Sequence, residues 1–176
     1  AEKSFPTAEK QLREKAAKLL LSYIDLNHQR RPEALNENIY HPCHYLEAAR
    51  MLKAAEDIQA LDAELRDGLS EAERNCYYSM VGFSAAASAN LLKLHLYAGK
   101  SRHYASQGRK AANRYAALAE ECIEQDNRLA DEFAAFQGGK WRGMQLAPHI
   151  GFTKWNEDGC RYPVVCRLHP TAKNRM

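Results

Sequence analysis

Apolar side chains return at alternating steps of three and four residues along four stretches of this chain, and that period governs what it can fold into. In the first stretch Leu12, Ala16, Leu19, Tyr23 and Leu26 share one helical face. The second carries Ala49, Leu52, Ala55, Ile58, Leu61 and Leu65, with Gly68 placed as a C-terminal stop. Ser70 and Glu73 form a capping-box pair at the head of the third. Its stripe is Tyr77, Met80, Ser84, Ala87, Leu91, Leu94 and Ala98, and Gly99 is expected to end it. The fourth is expected from about Ser101 to Gln137, with Tyr104, Gly108, Ala111, Tyr115, Leu118 and Cys122 on its stripe. After one polar step at Asp126 the stripe continues with Leu129, Phe133 and Phe136, until Gly138 and Gly139 break it.

This spacing is the seam of left-handed antiparallel helix packing, and short connections make neighbouring helices run up and down. The sequence therefore predicts an all-α fold: an antiparallel four-helix bundle with a long fourth helix, in which small residues such as Ala87, Gly108 and Ala111 allow close approach. NHQRRPEALNENIYHP, residues 27–42, reads as the connection between the first two helices. Two regions follow from the pattern, a helical bundle over 1–139 and an extended aromatic exit segment over 140–176. The exit segment holds both tryptophans, Pro148 and Pro163, and is too poor in helix formers and too short for a core of its own. It is expected to pack on the bundle or to lead into a further domain.

A chain of 176 residues, 45% apolar and 27% charged, suits one globular domain. Its net charge of +3 is mild, and neither a basic face nor an aromatic-basic motif is visible, so no nucleic-acid partner is expected. No apolar run is long enough for a membrane helix, and no signal-peptide pattern is read. Five cysteines without dense spacing argue against a disulfide framework. Cys76 and Cys122 read as buried thiols, and a bridge between Cys160 and Cys166 stays open.

Several residue groups raise chemical questions. Cys43, His44, Cys160, Cys166 and His169 are zinc-ligand types, but paired CxxC spacing is missing, so no metal and no cofactor is expected. Cys43 with a distant histidine would make a nucleophile, and nothing in the sequence brings one to it. Glu33 and Glu47 read as ion-pair or helix-end groups. Asp126 interrupts an apolar seam and needs partners, expected from Tyr or Arg side chains. Trp141, His149, Phe152 and Trp155 could stack on a sugar, so Trp141, His149 and Trp155 are the candidate substrate-binding residues. Packing is the preferred role for these aromatics, with His149 a hydrogen-bonded structural histidine. Arg30, Arg31, Arg102, Arg109 and Lys110 suit helix C-termini and solvated faces.

The exit segment GGKWRGMQLAPHIGFTKW, residues 138–155, resembles a segment of glycoside hydrolase family 115, the xylan α-glucuronidases, which reads GKW, a Met-containing turn, then HIGYTYW. Phe152 stands for the usual Tyr, Lys154 for the second aromatic, and Leu146 and Ala147 for an acidic residue and Gln. Three upstream segments are similar to the same family in order and spacing: RRPEALNENIYHPCHYLEA (30–48), ERNCYYSMVGFSAAASANL (73–91) and LYAGKSRHYASQGRKAAN (96–113). Asp126 followed by Leu129 also fits.

The resemblance implies the helical domain that follows the family's catalytic (β/α)-barrel and precedes a β-sandwich. No catalytic residue is carried onto this chain. The parent enzyme would release glucuronic acid, or its 4-O-methyl form, from glucuronoxylan. The partners implied are the barrel, the β-sandwich and, as a further option, a second copy in a homodimer. Attraction of the acidic glucuronate by the arginines named above is the alternative to their surface role. The family's members that attack polymeric xylan suggest a secreted or periplasmic location. A stand-alone helical binding module without hydrolase activity is the runner-up. A metal-dependent enzyme built on a bundle lacks the inward Glu and Glu-x-x-His sets.

Overall fold

The computed structural model describes residues 4–144, 147–151 and 159–169. It is all-helical, without strands among the described residues. Helix α1 spans Lys10–Gln29, α2 Glu47–Gly68, α3 Glu71–Tyr77, α4 Phe83–Ser106 and α5 Ala111–Gly139. A π-helical turn, Tyr78–Gly82, joins α3 to α4 without a break, giving four helical rods. Two 3-10 turns, Pro32–Ala34 and His44–Leu46, lie in the connection from α1 to α2.

The rod formed by α3 and α4 is central. From Ala85 to Ser101 it is buried on nearly every side, which fits a helix with Ala and Leu on most of its faces, and Asn90, His95 and Ser101 are buried with them. It packs against α5, α2 and α1. Tyr77, Leu19, Ile58, Leu65 and Leu94 are each less than 2% exposed. Truncating side chains buried to that degree costs about 2–5 kcal/mol each. One buried polar tie crosses the core: the Asn90 amide donates to the Cys122 carbonyl at 2.8 Å.

The first stripe is observed as expected, with Ala16, Leu19 and Leu26 buried and Leu12 and Tyr23 packed against the core. Ala49, expected on the second stripe, is exposed. In the third, Met80 and Ser84 face outward and Tyr78, Val81 and Ala85 go inward instead. The π turn over Tyr78–Gly82 accounts for this local offset, because an extra residue in a turn shifts the inward face to the next position. Leu91, Leu94 and Ala98 are buried all the same, since α4 is enclosed on nearly every side. Gly82 sits inside that turn against the Tyr77 ring, where a Cβ would stand 2.7 Å from a ring carbon.

The boundary between the last two rods differs from the expected one. Gly99 does not end a helix: α4 runs through it to Ser106, and a Cβ on Gly99 would stand 2.5 Å from the Glu37 carbonyl oxygen. The stop is Gly108, left-handed at φ 69°. Its N–H donates to the Ala105 carbonyl and the Arg109 N–H to the Tyr104 carbonyl, both at 2.9 Å, which is the Schellman arrangement. Tyr104 and Gly108 therefore do not belong to the fourth helix, which begins at Ala111.

The capping box at Ser70 is also altered. Glu73 accepts the Ser70 hydroxyl at 2.7 Å but turns its other oxygen to the N–H groups of Thr7 and Ala8, at 2.9 and 2.8 Å. It thereby holds the segment that places Phe5 in the core. At the other terminus, residues 160–169 have no regular secondary structure. They are fixed by Asn113, which exchanges hydrogen bonds with the Leu168 backbone, and by the Cys166 N–H donating to Ser101 Oγ.

Candidate functional sites

Two places gather chemistry-bearing side chains, and each unites residues far apart in sequence. The first lies where α5 meets the exit segment. Asp126 occupies a seam position of α5 and is 9% exposed, so its carboxylate needs a partner. The partner is neither Tyr nor Arg but His149, whose Nε2 stands 2.8 Å from Asp126 Oδ2. The other ring nitrogen, Nδ1, lies 3.0 Å from the Ala147 carbonyl oxygen. Both nitrogens thus face acceptors, an arrangement that suits the doubly protonated ring. The hydrogen bond to Asp126 pushes the His149 pKa up to about 9 against the opposing effect of burial.

Beside this pair is a cavity of roughly 260 Å³, lined by Tyr23, Phe83, Ser84, Ser88, Asp126 and His149 among others. A charged histidine held at both nitrogens can orient an acceptor or fix a segment, but it has no free lone pair to take a proton. Trp141 is not part of the cavity wall; it is half-buried, with the Lys140 ammonium 4.9 Å from the centre of its ring. Trp155, Phe152, Lys154 and Leu146 fall outside the described residues.

The second place is the corner where the connection from α1 to α2 crosses the end of α4. His41 Nδ1 accepts the backbone N–H groups of Cys43 and His44, at 3.1 and 2.8 Å. The His41 backbone N–H donates to Glu47 Oε2 at 2.9 Å, so that carboxylate serves a loop contact. The His41 and His44 rings stack with centres 3.7 Å apart. Tyr45 and Leu46 then both adopt positive φ, 52° and 56°, and both side chains are exposed. This local geometry turns Cys43 toward α4, where its Sγ lies 3.2 Å from His103 Nε2.

His103 is a residue that sequence reasoning missed. Its pKa is lowered by burial and by the neighbouring charges of His41, His44 and Arg109. Gln107, one turn on, places its amide nitrogen 2.9 Å from the same Nε2. The HPCH run marks one half of the corner in the sequence, but the other half lies 60 residues later in a helix with no local signal.

Other predicted groups have separate roles. Glu33 is exposed on the first 3-10 turn, and Arg30, Arg31 and Arg109 are exposed. Arg102 donates to Glu37 at 2.6 Å and to Asn38 at 3.3 Å, tying α4 to the connection. All five cysteines are free, so Cys160 and Cys166 are not bridged. Among the described residues no three His, Cys, Asp or Glu side chains converge to hold a metal ion, and no helix is long and apolar enough to cross a membrane.

The sequence reading also missed a partly buried network that links α2, α3 and α5. Tyr77 donates to Asp62 at 2.6 Å, and Arg66 reaches Asp62 at 2.8 Å and Glu132 at 2.5 Å. Burial raises the Asp62 pKa and drives that of Tyr77 far above its usual value. These groups satisfy one another and hold three helices in register. Neither a family model nor a curated protein matches this chain.

Proposed function

We propose that this chain is the helical, non-catalytic domain of a xylan α-glucuronidase-like glycoside hydrolase, arranged as an antiparallel four-helix bundle that braces the catalytic barrel. Two short connections support the antiparallel arrangement: Leu69 and Ser70 between α2 and α3, and residues 107–110 between α4 and α5. The family-like motifs supply the link to glucuronoxylan.

The observation that carries the scaffold role is the outer face of α1. Leu20, Leu21 and Ile24 are 43%, 61% and 48% exposed. At steps of one, three and four they form one continuous apolar stripe on the side away from the core. Contiguous exposed apolar surface marks a docking site, and completing the burial of each such side chain contributes about 1–2 kcal/mol. The proposed occupant is the preceding barrel domain.

Leu21→Glu with Ile24→Glu tests the assignment in a polypeptide that carries the flanking sequence. The expected outcome is lower thermal stability and less glucuronic acid released by that longer protein, with the melting temperature of the isolated chain unchanged. Equal behaviour of the substituted and native longer proteins contradicts the docking role. A native chain that forms dimers, dissociated by the pair of substitutions, assigns the stripe to self-association instead.

A stand-alone binding module is the second reading, favoured by the cavity beside Asp126 and His149. Its lining includes two rings, Tyr23 and Phe83, together with a carboxylate and two hydroxyls.

A further inference from the structure

We propose that Cys43 and His103 form a reactive thiol–imidazole dyad that undergoes exchange with small, anionic disulfides. The two residues reach each other across 60 positions, with Sγ 3.2 Å from Nε2. Cys43 is the exposed one of the five cysteines; Cys122 is buried, and the other three are partly covered. The loop that presents it is held from behind by His41 Nδ1, which accepts two consecutive backbone N–H groups.

Thiol–disulfide exchange requires a thiolate, access to it and an acceptor for its proton. The corner supplies an exposed sulfur with a proton acceptor in contact. The Cys43 proton passes to His103 Nε2, and the thiolate attacks one sulfur of the incoming disulfide. A new S–S bond forms at Cys43 as the old one breaks, and the departing thiolate takes up the proton from His103. The products are a mixed disulfide and one free small thiol. Burial, His41, His44 and Arg109 keep the His103 ring neutral, so it holds the proton only in passing and returns it readily to the departing thiolate. The close Sγ–Nε2 approach, not the basicity of the ring, is what favours the transfer.

Charge and space favour an anionic partner. Lys100 lies within electrostatic reach of Cys43, and Arg109 within reach of His103 and Tyr104. A cavity of roughly 520 Å³, lined by Glu37, His41, Arg102, His103 and Cys166 among others, opens beside the dyad. Arg102 and Glu37 offset each other there, so the positive field comes from Lys100 and Arg109. It has room for the organic part of a tripeptide-sized thiol.

The test uses the full chain, reduced, with oxidised glutathione and separately with iodoacetamide, followed by peptide mapping of all five cysteines. An ordinary thiol of pKa about 8.5 is only about 3% thiolate at pH 7, so full assistance raises its rate by at most about thirtyfold. Cys43 is expected to react at least about tenfold faster than Cys160 or Cys166 at pH 7 and to carry one glutathione. His103→Gln, which keeps a polar side chain on a helical surface, is expected to remove most of that advantage and to shift the rise in rate toward pH 8.5. Gln107→Ala serves as the milder variant and is expected to leave Cys43 the fastest site. Labelling of Cys43 no faster than of Cys160 and Cys166, or an unchanged rate and pH profile in His103→Gln, overturns the proposal. Rapid alkylation without glutathione addition overturns the assignment of an anionic disulfide as the partner.

Discussion

The imidazole of His149 closes on the Asp126 carboxylate at 2.8 Å and joins the exit segment to the middle of α5. A seam position that the helical period leaves polar is therefore filled by a group that the period cannot predict. The side chain of His149 is 45% exposed, so solvent screens the pair, and its contribution is about 1 kcal/mol or less. Its sign is definite. The folded-state pKa is raised, to about 9, above the ordinary 6.5. The stabilisation is fully present below pH 6.5 and disappears as pH rises through about 9. Urea unfolding of the native chain and of His149→Gln is expected to differ at pH 6 and to converge near pH 10. A difference that persists at pH 10 contradicts an ionic origin.

Tyr77→Phe removes the hydroxyl that donates to the buried Asp62 carboxylate at 2.6 Å. The shape of the core is kept while one acceptor loses its donor, so the expected loss is about 1–3 kcal/mol. Chemical denaturation measures it. A loss below about 0.5 kcal/mol contradicts a role for this hydrogen bond in holding α2 to α3.

Gly99→Ala sets two effects against each other. Alanine gains about 1 kcal/mol over glycine inside a helix. Its Cβ, however, would meet the Glu37 carbonyl oxygen at 2.5 Å, a backbone atom that cannot swing aside. Overpacking of this kind costs about 1–3 kcal/mol, so the net expectation is a lower melting temperature. A rise in melting temperature shows that the connection yields freely.

Glu73→Gln is expected to loosen the N-terminal segment. Hydrogen bonds from Ser70, Thr7 and Ala8 hold the Glu73 pKa below its usual value. Their stabilisation is present above pH 4.5 and fades as pH falls through the lower folded-state pKa. Hydrogen exchange at the Thr7 and Ala8 amides reads this directly. Faster exchange in the variant at pH 7, with the difference shrinking in acid, is the expected pattern.

The helices were legible in the sequence because burial on one face imposes a period that Leu12 to Leu26 or Ile58 to Leu65 display openly. Their boundaries were less so. Gly99 and Gly108 are both glycines between apolar runs, and the sequence reading gave each the other's role. Only the structure distinguishes a glycine that admits a neighbouring carbonyl from one that adopts φ 69° to end a helix. The π turn after Tyr77 was hidden for a similar reason, since one inserted residue leaves the composition of the stripe intact. The candidate sites were half legible. Asp126, His149 and Cys43 each stood out, but the pairing of Asp126 with His149, and of Cys43 with His103, depends on chain crossings that no local pattern encodes.

The role proposed for this chain is that of a scaffold for hydrolysis carried out by neighbouring domains. The most direct measurement is release of glucuronic acid from glucuronoxylan by the isolated chain and by the polypeptide that includes its flanking sequence. Release by the longer protein alone is the predicted result. Release by the isolated chain would contradict the account by placing catalytic acids within these helices. Release by neither removes the link to xylan and leaves a helical binding module.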